Sequence, residues 1–245
     1  MKFKKIVGFG DSWMYGDELL DPDLLAQDSE AQTCFTQNDP YREQHCFLGL
    51  LGAHYDVPVQ NFGLPGGSLQ SSIWTYIWWC QHEQIPLDQC LVLVGHTDND
   101  RTSYYDINHI HYSNDPPWNK FVHSAWIHAG ASAINSEWTD MAKRHMVLCE
   151  NHENAKLNYW QAAMFFDGQS ARKGFPLFQF DIMPSPYECL VDTKIWHGEC
   201  MTMWFRDHVD NQSRQLVKKF GHPNERGHEY IRDRLISVID HAILA

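Results

Sequence analysis

The run Cys90-Leu91-Val92-Leu93-Val94-Gly95 constrains the fold of this chain more than any other segment: it is apolar without alternation and stops at a glycine. A strand with one wet face alternates apolar and polar residues, whereas an unbroken apolar run marks a strand covered on both faces, as in parallel sheets flanked by helices. Ile6-Val7-Gly8-Phe9 is a second run of this kind. Segments with helical spacing lie between and after these runs, and alternation of the two types is the signature of an α/β domain.

Strands are expected at residues 4–9, 57–62, 90–95 and 175–183, and helices at 41–55, 68–81, 136–167 and 227–244. The last helix carries Tyr230, Ile231, Leu235, Ile236, Ile239 and Ile243 on one face, which packs back on the sheet. Residues 100–130 are rich in His, Asn, Tyr, Trp and Pro and have no clean period, so an inserted loop or small lid is expected there. No repeat or low-complexity linker divides the chain, and its 43% hydrophobic content can fill a substantial core. The expectation is one domain over residues 1–245, a three-layer α/β/α sandwich with a mostly parallel central sheet.

The formal net charge of -12 argues against nucleic acid and anionic membrane surfaces as partners. The basic start Met1-Lys2-Phe3-Lys4-Lys5 leads into an apolar run too short for a signal peptide, and no stretch approaches the ~20 apolar residues of a membrane span. The seven cysteines are odd in number and form no CxxC pair, so neither a disulfide framework nor a zinc ribbon is expected. A cytoplasmic location follows as the expectation. Among 15 histidines, His109-Ile110-His111 is the sharpest local pair, but no HExxH or Cys/His set completes it, and a surface or lid role is favoured. No metal and no cofactor are expected. Most of the ten tryptophans should be core, although Trp and Tyr around a crevice would also suit stacking on sugar rings.

Three strand ends close on Gly/polar turns, Gly10-Asp11-Ser12, Gly63-Leu64-Pro65-Gly66 and Gly95-His96-Thr97-Asp98, and a parallel sheet brings such ends to one rim. A fourth element, Gly221-His222-Pro223-Asn224-Glu225-Arg226-Gly227-His228, precedes the last helix. Taken alone, Ser12 is a helix cap. With a histidine at the same rim it is a candidate nucleophile, and His222 is the candidate base because its ordinary pKa lies near working pH. Backbone N–H groups of Ser12 and Gly66 and a side chain on the Gly95 loop are candidate oxyanion donors. Asp11 and Asp98 read as turn-stabilising.

These blocks resemble the SGNH (GDSL-like) hydrolase family. The likeness spans nearly the whole chain, but its specific content lies in the four blocks. It implies the flavodoxin-like SGNH hydrolase fold, Ser12 as nucleophile and oxyanion donor, Gly66 at the oxyanion-hole glycine, and His222 as base. Two places depart from the pattern. Thr97 stands where the family usually has asparagine, and is carried over as a weaker oxyanion donor. Lys219 stands just before His222 where an aspartate is usual. The open readings are a Ser-His dyad with a backbone carbonyl orienting His222, an acid from elsewhere (Asp181, Asp207 or Asp210), or an inactive relative. His228 is the alternative histidine.

The expected function is a serine esterase hydrolysing a small acyl ester, with a carbohydrate O-acetyl group as the narrower case. The alternative is a catalytically weakened protein of the same fold with a binding or assembly role. A flavodoxin-like nucleotide binder ranks third, because the first turn lacks a phosphate-cradling Gly-rich loop.

Overall fold

The computed structural model describes residues 3–97, 101–105, 126–129, 152–182, 195–196, 216–218 and 221–244. The elements in chain order are β1 (Lys5–Gly10), α1 (Ser12–Tyr15), α2 (Pro22–Gln27), α3 (Asp39–His45), α4 (Phe47–Tyr55), β2 (Val59–Gly63), α5 (Leu69–His82), β3 (Cys90–His96), β4 (Thr102–Tyr105), β5 (Trp126–Ala129), α6 (His152–Lys173), β6 (Leu177–Asp181), β7 (Ile195–Trp196) and α7 (Glu225–Leu244). The main sheet has five strands in the order β2-β1-β3-β6-β7, and every neighbouring pair is parallel. This is the α/β architecture expected from the unbroken apolar runs.

Alternate residues of the central strands feed two cores. Ile6, Leu91, Leu93 and Phe180 point to one face, where Phe47, Leu48 and Leu51 of α4 and Ile231, Leu235 and Ile239 of α7 cover them. Val7, Phe9, Val92 and Val94 point to the other, against Tyr76 and Trp79 of α5 and Phe166 of α6. The layers are therefore helix, sheet, helix, and the period of two along each strand decides which side a residue serves. At about 25 cal/mol per Å² of apolar surface, these fully covered strands are the main cohesive element.

Three boundaries differ from expectation. The helix expected over 41–55 is two helices, because Cys46 between them is extended (φ -69, ψ 156). Apolar spacing reports which face is buried, not whether the backbone is continuous, and Cys46 is itself fully buried against the same core. The long middle helix runs on past Asp167 to Lys173, since Gly168 is tolerated inside it and Gly174 ends it with φ 77. Its expected first part, 136–151, lies outside the described residues. The last helix starts at Glu225, with Asn224 Oδ1 accepting from Gly227 N at 2.9 Å as the cap.

Within the expected insertion, β4 and β5 pair antiparallel. Apart from Arg101, the rest of 100–130, with His109, His111 and Trp118, lies outside the described residues, as do Asp98, Asp207 and Asp210. Among the described residues no helix is long and apolar enough to cross a membrane, and no group of three or more His, Cys, Asp and Glu could hold a metal ion.

Candidate active site

The end of β1 turns directly into α1 at Asp11, whose side chain accepts from Trp13 N at 2.9 Å and caps the helix. Ser12 is thereby the first residue of α1, with 6% of its surface exposed. As a first-turn residue its own N–H has no partner within the helix. Asp11 is fully buried, and a buried carboxylate needs several donors. Its second oxygen receives the Thr97 hydroxyl at 2.6 Å and faces Arg101 Nη1 at 3.5 Å, while Arg101 also donates to Thr97 Oγ1 at 3.2 Å. The single proton of Thr97 is thus directed at the cap of α1. In this geometry it is not aimed at an oxyanion, unlike the expectation for this residue.

The short α1 is pinned at its other end from three directions. Arg42 of α3 donates to Tyr15 O at 2.7 Å and lays its guanidinium 3.8 Å from the Tyr15 ring centroid. Asn61 of β2 donates to Met14 O at 2.7 Å. Gly63, also on β2, passes so close that a Cβ there would sit 2.3 Å from Tyr15 N, so only glycine permits this approach. Burial pushes the Tyr15 hydroxyl up to about 12, which keeps it neutral beside Arg42.

Gly66 lies in the turn that follows β2. Leu64-Pro65-Gly66-Gly67 is closed by Gly67 N donating to Leu64 O at 2.8 Å, with Gly66 at φ 71. Proline at the second position and a positive φ at the third are the marks of a type II turn, which demands glycine there. Leu64 N donates to Gly10 O at 3.0 Å and fastens this turn to the Gly10-Asp11-Ser12 end. Ser68, just beyond, caps α5 in a reciprocal capping box with Ser71.

His222 arrives from far along the chain. Leu216 to Asn224 folds back on itself through a Val217–Pro223 bridge, with Lys218 N donating to His222 O at 2.8 Å and Asn224 N to Leu216 O at 2.8 Å. This brings His222 Nε2 to 2.9 Å from Ser12 Oγ across 210 positions of sequence. Its Nδ1 lies 3.0 Å from Glu18 Oε2, and its backbone N–H points to the same oxygen at 3.3 Å. A carboxylate only accepts, so Nδ1 carries the ring proton and Nε2 is left to accept from the serine hydroxyl.

Glu18 is the acidic partner of His222 that the sequence reading lacks. It does not precede the histidine; it follows Ser12, in the loop that leaves α1. Gly16 N and Asp17 N both donate to Ser12 O, at 3.0 and 2.9 Å, and Glu18 N donates to Asp17 Oδ1 at 3.0 Å. Buried Leu19 then anchors the loop, and its carbonyl accepts from the fully buried Asn38 at 2.9 Å. Glu18 itself has φ 64, a left-handed conformation costing a non-glycine residue on the order of 1–3 kcal/mol. Backbone strain of this kind is held only where the surroundings enforce it. No motif could have announced it, but an acidic pair directly after a Gly-capped nucleophile turn is a signal worth reading.

Asp17 stands on the opposite flank of the imidazole, with Oδ2 3.8 Å from His222 Nε2. His228, the alternative histidine, is fully buried in α7; its Nδ1 accepts from Phe47 N at 3.2 Å, and burial depresses it to about 3. It is a neutral packing group. Asp181, one of the acids considered for His222, ends β6, accepts from Tyr159 OH at 2.8 Å and is pushed up to about 6 by burial. His222 takes its carboxylate from Glu18.

A serine hydroxyl bonded to one nitrogen of a neutral imidazole, whose other N–H is held by a carboxylate, can be deprotonated as it attacks an electrophile. The residues brought together at this rim are Ser12, Glu18, His222 and the Gly66 turn; Thr97 sits behind them on Asp11.

No protein-family model and no curated protein matches the chain. Among solved structures it is similar to a member of the lipolytic protein G-D-S-L family from Veillonella parvula, at 10% identity over 96% of this chain and 97% of that one, with a TM-score of 0.46. It is similar also to an alpha/beta hydrolase enzyme from the metagenome of Lake Arreo, at 16% identity over 96% and 94% of the two chains, with a TM-score of 0.48. An acetyl xylan esterase from Geobacillus stearothermophilus aligns at 11% identity over 97% and 96%, with a TM-score of 0.45. At such identities the likeness concerns the course of the chain, and the chemistry of the rim rests on its own geometry.

Proposed function

We propose that this chain is a single-domain serine ester hydrolase acting on a small acyl ester. The observation that carries the reading is the relay Ser12 Oγ to His222 Nε2 at 2.9 Å and His222 Nδ1 to Glu18 Oε2 at 3.0 Å. Ser12 Oγ attacks the acyl carbonyl while Nε2 takes its proton. The oxyanion forms against the backbone N–H groups of Ser12 and Gly66. The imidazolium, steadied by Glu18, returns the proton to the leaving alcohol, and water then releases the acyl group from Ser12 through the same base. Thr97 acts one step back, by holding the Asp11 cap that fixes Ser12.

Glu18 supplies an acid for His222 and so answers one of the two grounds for a catalytically weakened protein, the lack of an acid before His222; the other, Thr97 in the place of an asparagine, stands. A carbohydrate O-acetyl group is the narrower form of the proposal. The test is turnover of p-nitrophenyl acetate and of an acetylated oligosaccharide by wild type and Ser12→Ala, with labelling of Ser12 by a fluorophosphonate. Wild-type turnover that Ser12→Ala loses, together with stoichiometric labelling, supports the reading. Equal rates in both proteins would remove Ser12 from the chemistry.

A further inference from the structure

The second carboxylate at the rim has no part in the relay, and its position bears on which esters can be used. Asp17 Oδ1 is occupied by Glu18 N at 3.0 Å, which fixes the side chain, and Oδ2 is left facing His222 Nε2 at 3.8 Å with 28% of the side chain exposed. Nε2 is the nitrogen from which a leaving alcohol must collect its proton, at about 3 Å. Any alcohol that leaves through His222 therefore departs beside the Asp17 carboxylate. Among the described residues, Glu18 is engaged by His222 Nδ1 at 3.0 Å and Arg101 faces the buried Asp11 at 3.5 Å.

We propose that Asp17 makes the site selective for esters of neutral or cationic alcohols and against esters of anionic ones. This rests on the esterase reading above and names the substrate class of that same site. The force is Coulombic: a charge on the alcohol a few ångströms from a half-exposed carboxylate is attracted or repelled strongly enough to change rates on the order of tenfold. Salt weakens the effect, since the Debye length falls from about 30 Å at 0.01 M to about 3 Å at 1 M. The overall charge of -12 acts in the same direction at longer range.

The experiment uses three aryl acetates whose phenol carries a para-carboxylate, a para-nitro group or a para-trimethylammonium group. The quantity read is the ratio of kcat/KM for the cationic to the anionic ester, which cancels enzyme concentration and, between variants, intrinsic ester reactivity. Asp17→Asn keeps an oxygen for Glu18 N while removing the charge. The ratio should fall about tenfold in Asp17→Asn, and in wild type it should shrink as sodium chloride is raised. A ratio unchanged by Asp17→Asn, with hydrolysis intact, overturns the selectivity proposal alone. No hydrolysis of any ester together with an unlabelled Ser12 overturns the esterase reading and this proposal with it.

Discussion

His222 and His228 lie within one short stretch at the start of α7 and have opposite fates. His222 sits at the rim with a hydroxyl on one ring nitrogen and a carboxylate on the other. His228, fully buried beneath it, has one nitrogen on the Phe47 backbone N–H and stacks on the Phe47 ring at 24° between planes. The residue type is the same; the difference lies in what faces the two ring nitrogens. At the rim both nitrogens meet polar side chains, Ser12 on one and Glu18 on the other, whereas in the core burial holds His228 neutral.

Replacing each histidine in turn should separate the two roles most sharply. His222→Ala should lower kcat/KM for p-nitrophenyl acetate by roughly 10³-fold or more while leaving the melting temperature nearly unchanged. His228→Phe should do the reverse, keeping kcat within a few-fold and costing about 1–3 kcal/mol of stability, because Phe47 N loses its acceptor. If His228→Phe lost activity without losing stability, the division drawn here would fail.

Glu18→Gln comes next. An amide can still touch Nδ1 but does not stabilise the imidazolium, so kcat should drop by about 10²- to 10⁴-fold with KM little altered. An unchanged kcat would point to a dyad oriented by something other than Glu18.

Smaller effects are expected in the pH dependence of stability. His228 has a folded value of about 3 against an ordinary 6.5, so the stability it contributes is complete above 6.5 and is lost as pH falls toward 3. Thermal melts of wild type should decline over that window, and those of His228→Phe should decline less. Asp181 runs the other way: its folded value of about 6 exceeds the ordinary 3.8, so its contribution is complete below 3.8 and is lost as pH rises through 6. Asp181→Asn keeps an acceptor for Tyr159 and should be stabilised at pH 7.5 by on the order of 2 kcal/mol, with little change at pH 4. An Asp181→Asn curve parallel to wild type across both pH values would show that the carboxyl is already well solvated.

What the sequence discloses and what it hides follow from how local each feature is. Four of the five strands of the parallel sheet were legible, β1 and β3 most directly because burial on both faces leaves an unbroken apolar record; the two-residue β7 was not, being too short to carry a pattern. Ser12, Gly66 and His222 could be named because each sits at a strand end or helix start that has a local pattern. The break at Cys46 was hidden, since both helices keep their apolar side on one core and the periodicity runs straight through. Glu18 was hidden for a stronger reason: its place depends on a left-handed residue held by Leu19 and Asn38, and on a histidine 204 positions away. The bond from the Thr97 hydroxyl to Asp11 was hidden too, because the two residues follow paired strands far apart in sequence.

The wide separation of Ser12 and His222 has a consequence for how the protein comes into being. The chain is made from its N-terminus, and a domain folds as a unit. Through most of its synthesis the nascent chain carries Ser12 with Glu18 close behind and no base, so the serine stays an ordinary alcohol among the esters and thioesters of a cell. Under the proposed esterase function, Ser12 gains its base only when the Leu216–Asn224 fold-back and α7 dock against α4, so labelling of Ser12 would report completed folding.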